Sequence, residues 1–289
     1  MNNTEFKSRI DTLETKEHLN NRVNLDVKDL RGTETRYNKE MEIITKYNTN
    51  SFRGEYSTEY KLSKTINDFK EMQEQLTVIN SEQVAIRRID IATDISKEFD
   101  DISKFLDLTH KCIRGNEKEG KAWSNVDETD LNTSNYLYRN RFKLEIEFYN
   151  KHKENIKANY PTRMEIRFLR IYSKDFKMHI NNAINLWKSM PSNLDNVEQQ
   201  IVAVLKIKWM EESKSNTNLL FSTFVYKYSK YIYTQSILKA IYKETGLKRT
   251  FKTWLQDYRK KYYIEFYTKA DLTNFSKNVI RSLKDYLKN

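Results

Sequence analysis

The residues that could do chemistry are acids set inside strands. In VAIRRIDIATDI (84–95) a period of two puts Arg88, Asp90, Ala92 and Asp94 on one face, with Ile89, Ile91 and Ile95 on the other. RFKLEIEFYN (141–150) keeps Phe142, Leu144, Ile146 and Phe148 on its apolar side and leaves Lys143, Glu145, Glu147 and Tyr149 together. In TRMEIRFLRI (162–171), Arg163, Glu165 and Arg167 alternate with Met164, Ile166 and Phe168. A carboxylate in such a place is costly unless it is paired or liganded. If the three strands are neighbours in one antiparallel sheet, Asp90, Glu165 and one of Glu145 or Glu147 repel unless a cation lies among them. Oxygen-only ligands suit a hard divalent ion, Mg2+ or Mn2+. The competing reading is a set of solvent-facing charges cross-paired with Arg88, Arg163 and Arg167.

Other chemistries are excluded by what the chain lacks. His18, His110, His152 and His179 never fall two or four residues apart, so no His-x-His ligand pair exists. There is no GxxxxGK[ST] loop and no G-x-G-x-x-G turn, so ATP-driven helicase activity is not indicated. The single cysteine, Cys112, rules out an intramolecular disulfide or a multi-thiolate zinc site and fits a reducing compartment.

Five glycines and two prolines in 289 residues are too few for an all-β sandwich, so long helices take up much of the length. Further alternating strands are read at 22–27 and 40–47, and helices at 62–76 and 95–110. The polar stretch 111–135 is expected to form a binding loop. From Ser173 onward the pattern is helical, with a break at Pro191, Asp195 and Glu198 as an N-terminal cap, and a turn at Gly246. The expected fold class is α+β: an antiparallel sheet with flanking helices over 1–190, followed by a basic, all-helical domain over 191–289.

The formal charge is +11 and the sequence pI about 9.3, which makes a polyanion the first partner to consider. Abundant Lys, Asn, Ile and Tyr also mark an A+T-rich genome, so distribution is better evidence than content. Residues 195–289 carry eighteen Lys and Arg against nine Asp and Glu, a local +9, with ten of the nineteen tyrosines. Basic residues interleaved with aromatics suit phosphate tracking and base stacking. Lys248, Arg249, Lys252, Arg259, Lys260 and Lys261 are the expected DNA contacts. The alternative is a helical bundle with a tyrosine-rich core and solvated lysines. No apolar run approaches the eighteen residues of a spanning helix, and the chain starts without a signal-like segment, so a cytoplasmic protein without a membrane partner is expected.

Three segments resemble the Rep_trans-type initiators of rolling-circle plasmids and the relaxases of related conjugative elements. RIDIATD (88–94) is similar to the family's R-[LI]-D-[LI]-A-x-D strand, EFYNKHKE (147–154) to its I-Y-N-K-x-x-E segment, and RMEIRFLR (163–170) to its R-x-E-[IL] strand. With a looser likeness over 55–80, the resemblance spans roughly 55–172. It implies a relaxase-like catalytic domain in which Tyr149 is the nucleophile and Lys151 a phosphate-contacting cation. Asp90 and Glu165 would hold the divalent metal, with Asp94 in support; Glu147, a departure from the family's usual apolar or basic residue, is a further ligand candidate from the strand pattern alone. The implied product is a 5′-phosphotyrosine link and a free 3′-hydroxyl. Origin DNA, duplex and single-stranded, is the implied partner, together with a host helicase and a second copy of the chain. The family's Gly-Ser turn before the tyrosine strand is replaced by SNYLYRNRF (134–142), which makes Tyr136 and Tyr138 secondary nucleophile candidates. The rival reading is a non-catalytic DNA-binding initiator or regulator using 237–256 as a helix-turn-helix, in which Lys252 falls where that motif wants an apolar residue.

Overall fold

In the computed structural model the described residues are 6–19, 33–38, 43–50, 55–62, 85–114, 135–139, 144–153, 159–171, 175–216 and 219–288. The fold is mixed α and β. Eight strands form one sheet: β1 (Phe6–Leu19), β2 (Thr33–Asn38), β3 (Ile43–Asn50), β4 (Glu55–Leu62), β5 (Ala85–Ile95), β6 (Asn135–Arg139), β7 (Leu144–Asn150) and β8 (Thr162–Ile171). Their order is β2-β3-β4-β1-β5-β8-β7-β6. Pairings β2/β3, β3/β4, β4/β1, β1/β5, β5/β8 and β8/β7 are antiparallel. The helices are α1 (Phe99–Arg114), α2 (Phe176–Ser189), α3 (Leu194–Ser215), α4 (Phe221–Lys227), α5 (Gln235–Tyr242), α6 (Phe251–Arg259) and α7 (Lys269–Lys288).

Strict alternation explains why β5, β7 and β8 stand together. Ile91, Ile166 and Ile146 face one another across the three strands, as do Ile89, Phe168 and Leu144, and all six are buried. The same apolar face takes Phe176 of α2 edge-on against Phe168, at a centroid separation of 5.7 Å. Fully burying side chains of this kind is worth about 1.5–3 kcal/mol each. A one-residue slip would turn every one of them to the opposite face, so the register is strongly fixed.

The chain divides into two units. One holds the sheet together with α2 through Asn185 and the end of α7 from Asn278; the other holds α1 and residues 186–277. The chain passes from the sheet unit to the helical unit at 185/186, and α1 belongs with the later helices. Tyr233 Oη donates to Asp107, Lys104 Nζ donates to the Glu265 carbonyl at 2.9 Å, and Phe105 packs edge-on against Phe275 at 5.3 Å. Trp209, Phe221, Phe224, Tyr242 and Trp254 form an aromatic core in this helical unit, with adjacent rings 4.9–5.6 Å apart.

Several expected boundaries move for identifiable reasons. The helix expected from 95 starts at 99 because Ile95 still pairs with Thr162 in the sheet, and it runs on to Arg114. Asp195 does not cap α3: Asn193 is the N-cap, makes no side-chain cap bond, and instead donates Nδ2 to the Cys112 carbonyl at 2.8 Å. Residues 219–244 break into α4, a 3-10 turn at Ser229–Tyr231 and α5, because Thr234 starts a new helix by accepting from the Ile237 N–H. Gly246 makes the expected turn with φ 65°, in the left-handed region that glycine adopts freely. The expected strand at 22–27, nearly all of the helix at 62–76 and most of the stretch 111–135 lie outside the described residues, although Leu62 ends β4 and 111–114 belong to α1.

Candidate functional site

Opposite the apolar core, the other face of β5, β8 and β7 carries charge in rows set by the register. One row is Asp90, Arg167 and Glu145; the next is Ala92, Glu165 and Glu147; the third is Asp94, Arg163 and Tyr149. The acids expected on three neighbouring strands are therefore gathered, together with Tyr149. They are not solvent-facing: Asp90 is 1% exposed, Asp94 2%, Glu165 5% and Tyr149 7%. Charges buried this deeply persist only when paired and hydrogen-bonded.

Each acid has an arginine. Arg88 Nε lies 2.8 and 2.9 Å from the two Asp90 carboxylate oxygens. Arg163 Nε donates to Asp94 Oδ1 at 2.7 Å, and Lys151 Nζ lies 3.5 Å from the same oxygen. Arg167 occupies the middle of the face. Its Nη2 donates to Glu165 Oε2 at 2.7 Å and also contacts Glu147, while Nε is 3.7 Å from Asp90 Oδ2 and Nη1 is 4.0 Å from Glu145 Oε2. The other Glu165 oxygen, Oε1, accepts the Tyr149 hydroxyl at 2.6 Å, with Arg163 Nη1 3.9 Å away.

The electrostatics follow from this crowding. Burial, the largest influence, pushes the Asp90 carboxyl above its ordinary value; the hydrogen bond and charge of Arg88 oppose this, the Glu165 charge adds to it, and Arg167 opposes it. For Arg167 burial acts to lower the pKa, but the hydrogen bond to Glu165 and the charges of Glu165, Glu147 and Asp90 outweigh it and raise the value, so the guanidinium stays charged. Five carboxylates, Asp90, Asp94, Glu145, Glu147 and Glu165, meet four cations, Arg88, Lys151, Arg163 and Arg167.

These positions test the fit of a divalent ion. The donor chemistry is right, since carboxylate oxygens from adjacent strands share one face. The space is not, because the Arg167 guanidinium lies between Asp90 and Glu165 and already meets four acids. As arranged, the face is a carboxylate cluster with an arginine at its centre, and among the described residues no group of three or more potential ligands is set to hold a metal.

Lys151 opens a 3-10 turn, Lys151–Lys153, whose first N–H donates to the Pro161 carbonyl at 2.7 Å; this ties the segment after Tyr149 to the start of β8. Tyr136 and Tyr138 lie in β6, the edge strand beyond β7, and their side chains lie outside the described residues. In the helical unit Lys248, Arg249, Lys252, Arg259, Lys260 and Lys261 are all exposed, with Arg249 and Lys260 sharing Asp257. In the segment 237–256, α5 ends at Tyr242 and continues as a 3-10 turn, Lys243–Thr245, before α6 begins at Phe251, so five residues separate the helical segments where the helix-turn-helix motif has three or four.

Sequence reasoning treated Arg167 as one of several cross-pairing cations and missed its central place. The signal was the alternation Arg163-x-Glu165-x-Arg167, which puts a cation on each side of Glu165 along one strand. No protein-family model matches the chain, and no curated protein matches it.

Proposed function

We propose that the chain is a replication initiator or relaxase that nicks and rejoins one strand of origin DNA through Tyr149. The observation that carries this reading is the Tyr149 hydroxyl donating to Glu165 Oε1 at 2.6 Å, with Arg163, Arg167 and Lys151 gathered on the same face. A nucleophile hydrogen-bonded to a base that other groups orient is the arrangement activated nucleophiles require. Glu165 takes the phenolic proton as the Tyr149 oxygen forms a bond to the scissile phosphorus. The P–O3′ bond breaks, the departing 3′-oxygen takes a proton from water, and the DNA is left on Tyr149 as a 5′-phosphotyrosine. Arg163 and Lys151 offset the charge that builds on the non-bridging oxygens. Attack by a 3′-hydroxyl on the phosphotyrosine reverses these steps and rejoins the strand. Because Arg167 stands where Mg2+ or Mn2+ was expected, no step here passes through a metal.

The burial of Tyr149 and the arginine partners of every acid favour a second reading, a DNA-binding initiator in which this face is a structural network. One assay separates the two. Protein is incubated with labelled single-stranded origin oligonucleotides, with and without Mg2+, Mn2+ and chelator, and run on a denaturing gel. A covalent adduct in wild type that is absent from Tyr149→Phe supports nicking by this residue. An adduct that persists in Tyr149→Phe and disappears from a Phe variant at Tyr136 or Tyr138 moves the nucleophile. Absence of any adduct in wild type leaves the binding reading.

A further inference from the structure

Not all of the aromatic content of the helical unit is core. Trp254, Tyr258, Tyr262 and Tyr226 form a run of ring contacts, with centroids 5.2, 4.9 and 5.4 Å apart. The run begins buried at Trp254 and Tyr258 and comes to the surface at Tyr262, 37% exposed, and Tyr226, 64% exposed. Tyr263, next in the chain, is 87% exposed. The Tyr258 hydroxyl is buried and has no hydrogen-bond partner among the described residues, and burial, with the neighbouring phenols of Tyr262 and Tyr226, pushes its pKa up to about 12. The run is thus anchored from below by the buried rings of Trp254 and Tyr258, against which the exposed rings pack in succession.

Cations neighbour these rings in the chain. Lys227 adjoins Tyr226, and Arg259, Lys260 and Lys261 precede Tyr262; all four are exposed. Of the acids nearby, Glu212 is met by Lys227 and Asp257 by Arg249 and Lys260, while Glu265 accepts from the Tyr267 hydroxyl. The patch therefore presents rigid aromatic faces inside a positive surface. Phosphate attraction alone needs no aromatic rings, and paired bases offer no faces for them to stack on. Unpaired bases do, because every base has a π-face and stacks on tyrosine with little regard to sequence.

We propose that Tyr226, Tyr262 and Tyr263 form a stacking platform for the unpaired bases of a single-stranded polynucleotide, whose phosphates are held by Lys227, Arg259 and Lys261. This rests on the reading of nucleic acid as partner, but not on strand nicking. The test is fluorescence anisotropy of the full-length protein with a labelled oligothymidylate of about 16 nucleotides, alongside a duplex of the same length. Alanine at Tyr226, Tyr262 or Tyr263 should weaken single-strand binding by about fivefold to a hundredfold, while each Phe variant, which keeps the ring, should stay within about twofold of wild type. Duplex affinity should change by less than about twofold. Tyr263→Ala guards against misfolding, because that side chain is almost wholly exposed. The platform is overturned if wild type does not bind the oligonucleotide, if the Ala variants bind as wild type, if Phe loses as much as Ala, or if duplex and single-strand affinity fall together. Tyr149→Phe separates this from the nicking proposal: oligothymidylate binding at wild-type strength with no adduct from any protein would sink nicking and leave the platform standing.

Discussion

Replacing Arg167 with methionine keeps a side chain of similar length and removes the charge at the centre of the carboxylate face. Glu165 and Glu147 would lose a direct partner, and Asp90 and Glu145 a guanidinium within 4.0 Å. Arg88 would still hold Asp90, and Arg163 would lie 3.9 Å from Glu165, so the network is weakened and not erased. Removing one partner of a buried pair costs about 3–5 kcal/mol, and with four acids affected the upper part of that range is expected at pH 7. At roughly 2–4 °C per kcal/mol, the melting temperature of the sheet unit should fall by about 8–20 °C. The pH dependence gives the sharper check. In the variant the acids crowd without their shared cation, and protonation at low pH relieves their mutual repulsion. The gap to wild type should therefore narrow as pH falls from 7 toward about 4, where ordinary carboxylates protonate. Thermal unfolding followed by circular dichroism across this range measures it. A loss below about 1 kcal/mol at pH 7, or a gap that does not move with pH, would refute the central role given to Arg167. Added Mn2+ should partly restore the variant and leave wild type unchanged, because only the variant has room for an ion among the acids.

Tyr149→Phe removes a buried hydrogen bond to a carboxylate acceptor, so beyond any loss of adduct it should cost about 1.5–3 kcal/mol in urea unfolding. Asp90 has a folded-state pKa raised above the ordinary value, so its stabilising contribution is present below about pH 3.9 and is lost as pH rises through the raised value; Asp90→Asn should therefore cost clearly less at pH 7 than Arg167→Met in the same melts. Cys112 is buried and its thiol is pushed up to about 12 by burial first, with the Glu198 charge adding and Lys111 opposing, so a thiol reagent at pH 8 should leave it unmodified until denaturant opens the helical unit; rapid labelling of the native protein would contradict the packing of α1.

How much was legible in the sequence depended on whether a period survived. β5, β7 and β8 keep a strict alternation, and their faces could be assigned residue by residue. β1 could not be read because its pairing with β5 shifts between Ile10 and Thr12. Phe6, Ile10 and Leu13 all stand opposite isoleucines of β5, yet the last two are three residues apart, and a period-two search loses the strand at that point. The last helix, α7, was expected only as part of an all-helical region and without bounds, although it carries a start signal: the Thr268 N–H donates to Asp271 Oδ2 at 2.8 Å, and the Asp271 N–H donates to Thr268 Oγ1 at 3.2 Å. Placing α1 with the later helices was out of reach, since it rests on contacts such as Tyr233 with Asp107, 126 residues apart. Deleting 195–289 would strip α1 of its partners and expose Phe105, so point variants on the exposed cations are the sound way to probe DNA binding.

The two charge patterns of the chain now separate. On the sheet face, acids and cations nearly balance, and each carboxylate is satisfied within the protein, so this face adds little to the field that a distant polyanion meets. In the helical unit, Lys248, Arg249, Lys252, Arg259, Lys260 and Lys261 all point outward, with Asp257 the acid that offsets two of them. Under the proposed function, long-range attraction to nucleic acid would be a property of the helical surface, while the sheet face would act only on a phosphate delivered into contact with it. Salt should accordingly weaken binding through the helical cations, by a slope of about 0.9 in log–log terms for each phosphate contact to duplex DNA. Raising the salt should leave the Tyr149–Glu165 pair untouched, because both partners are buried from the ions that screen it.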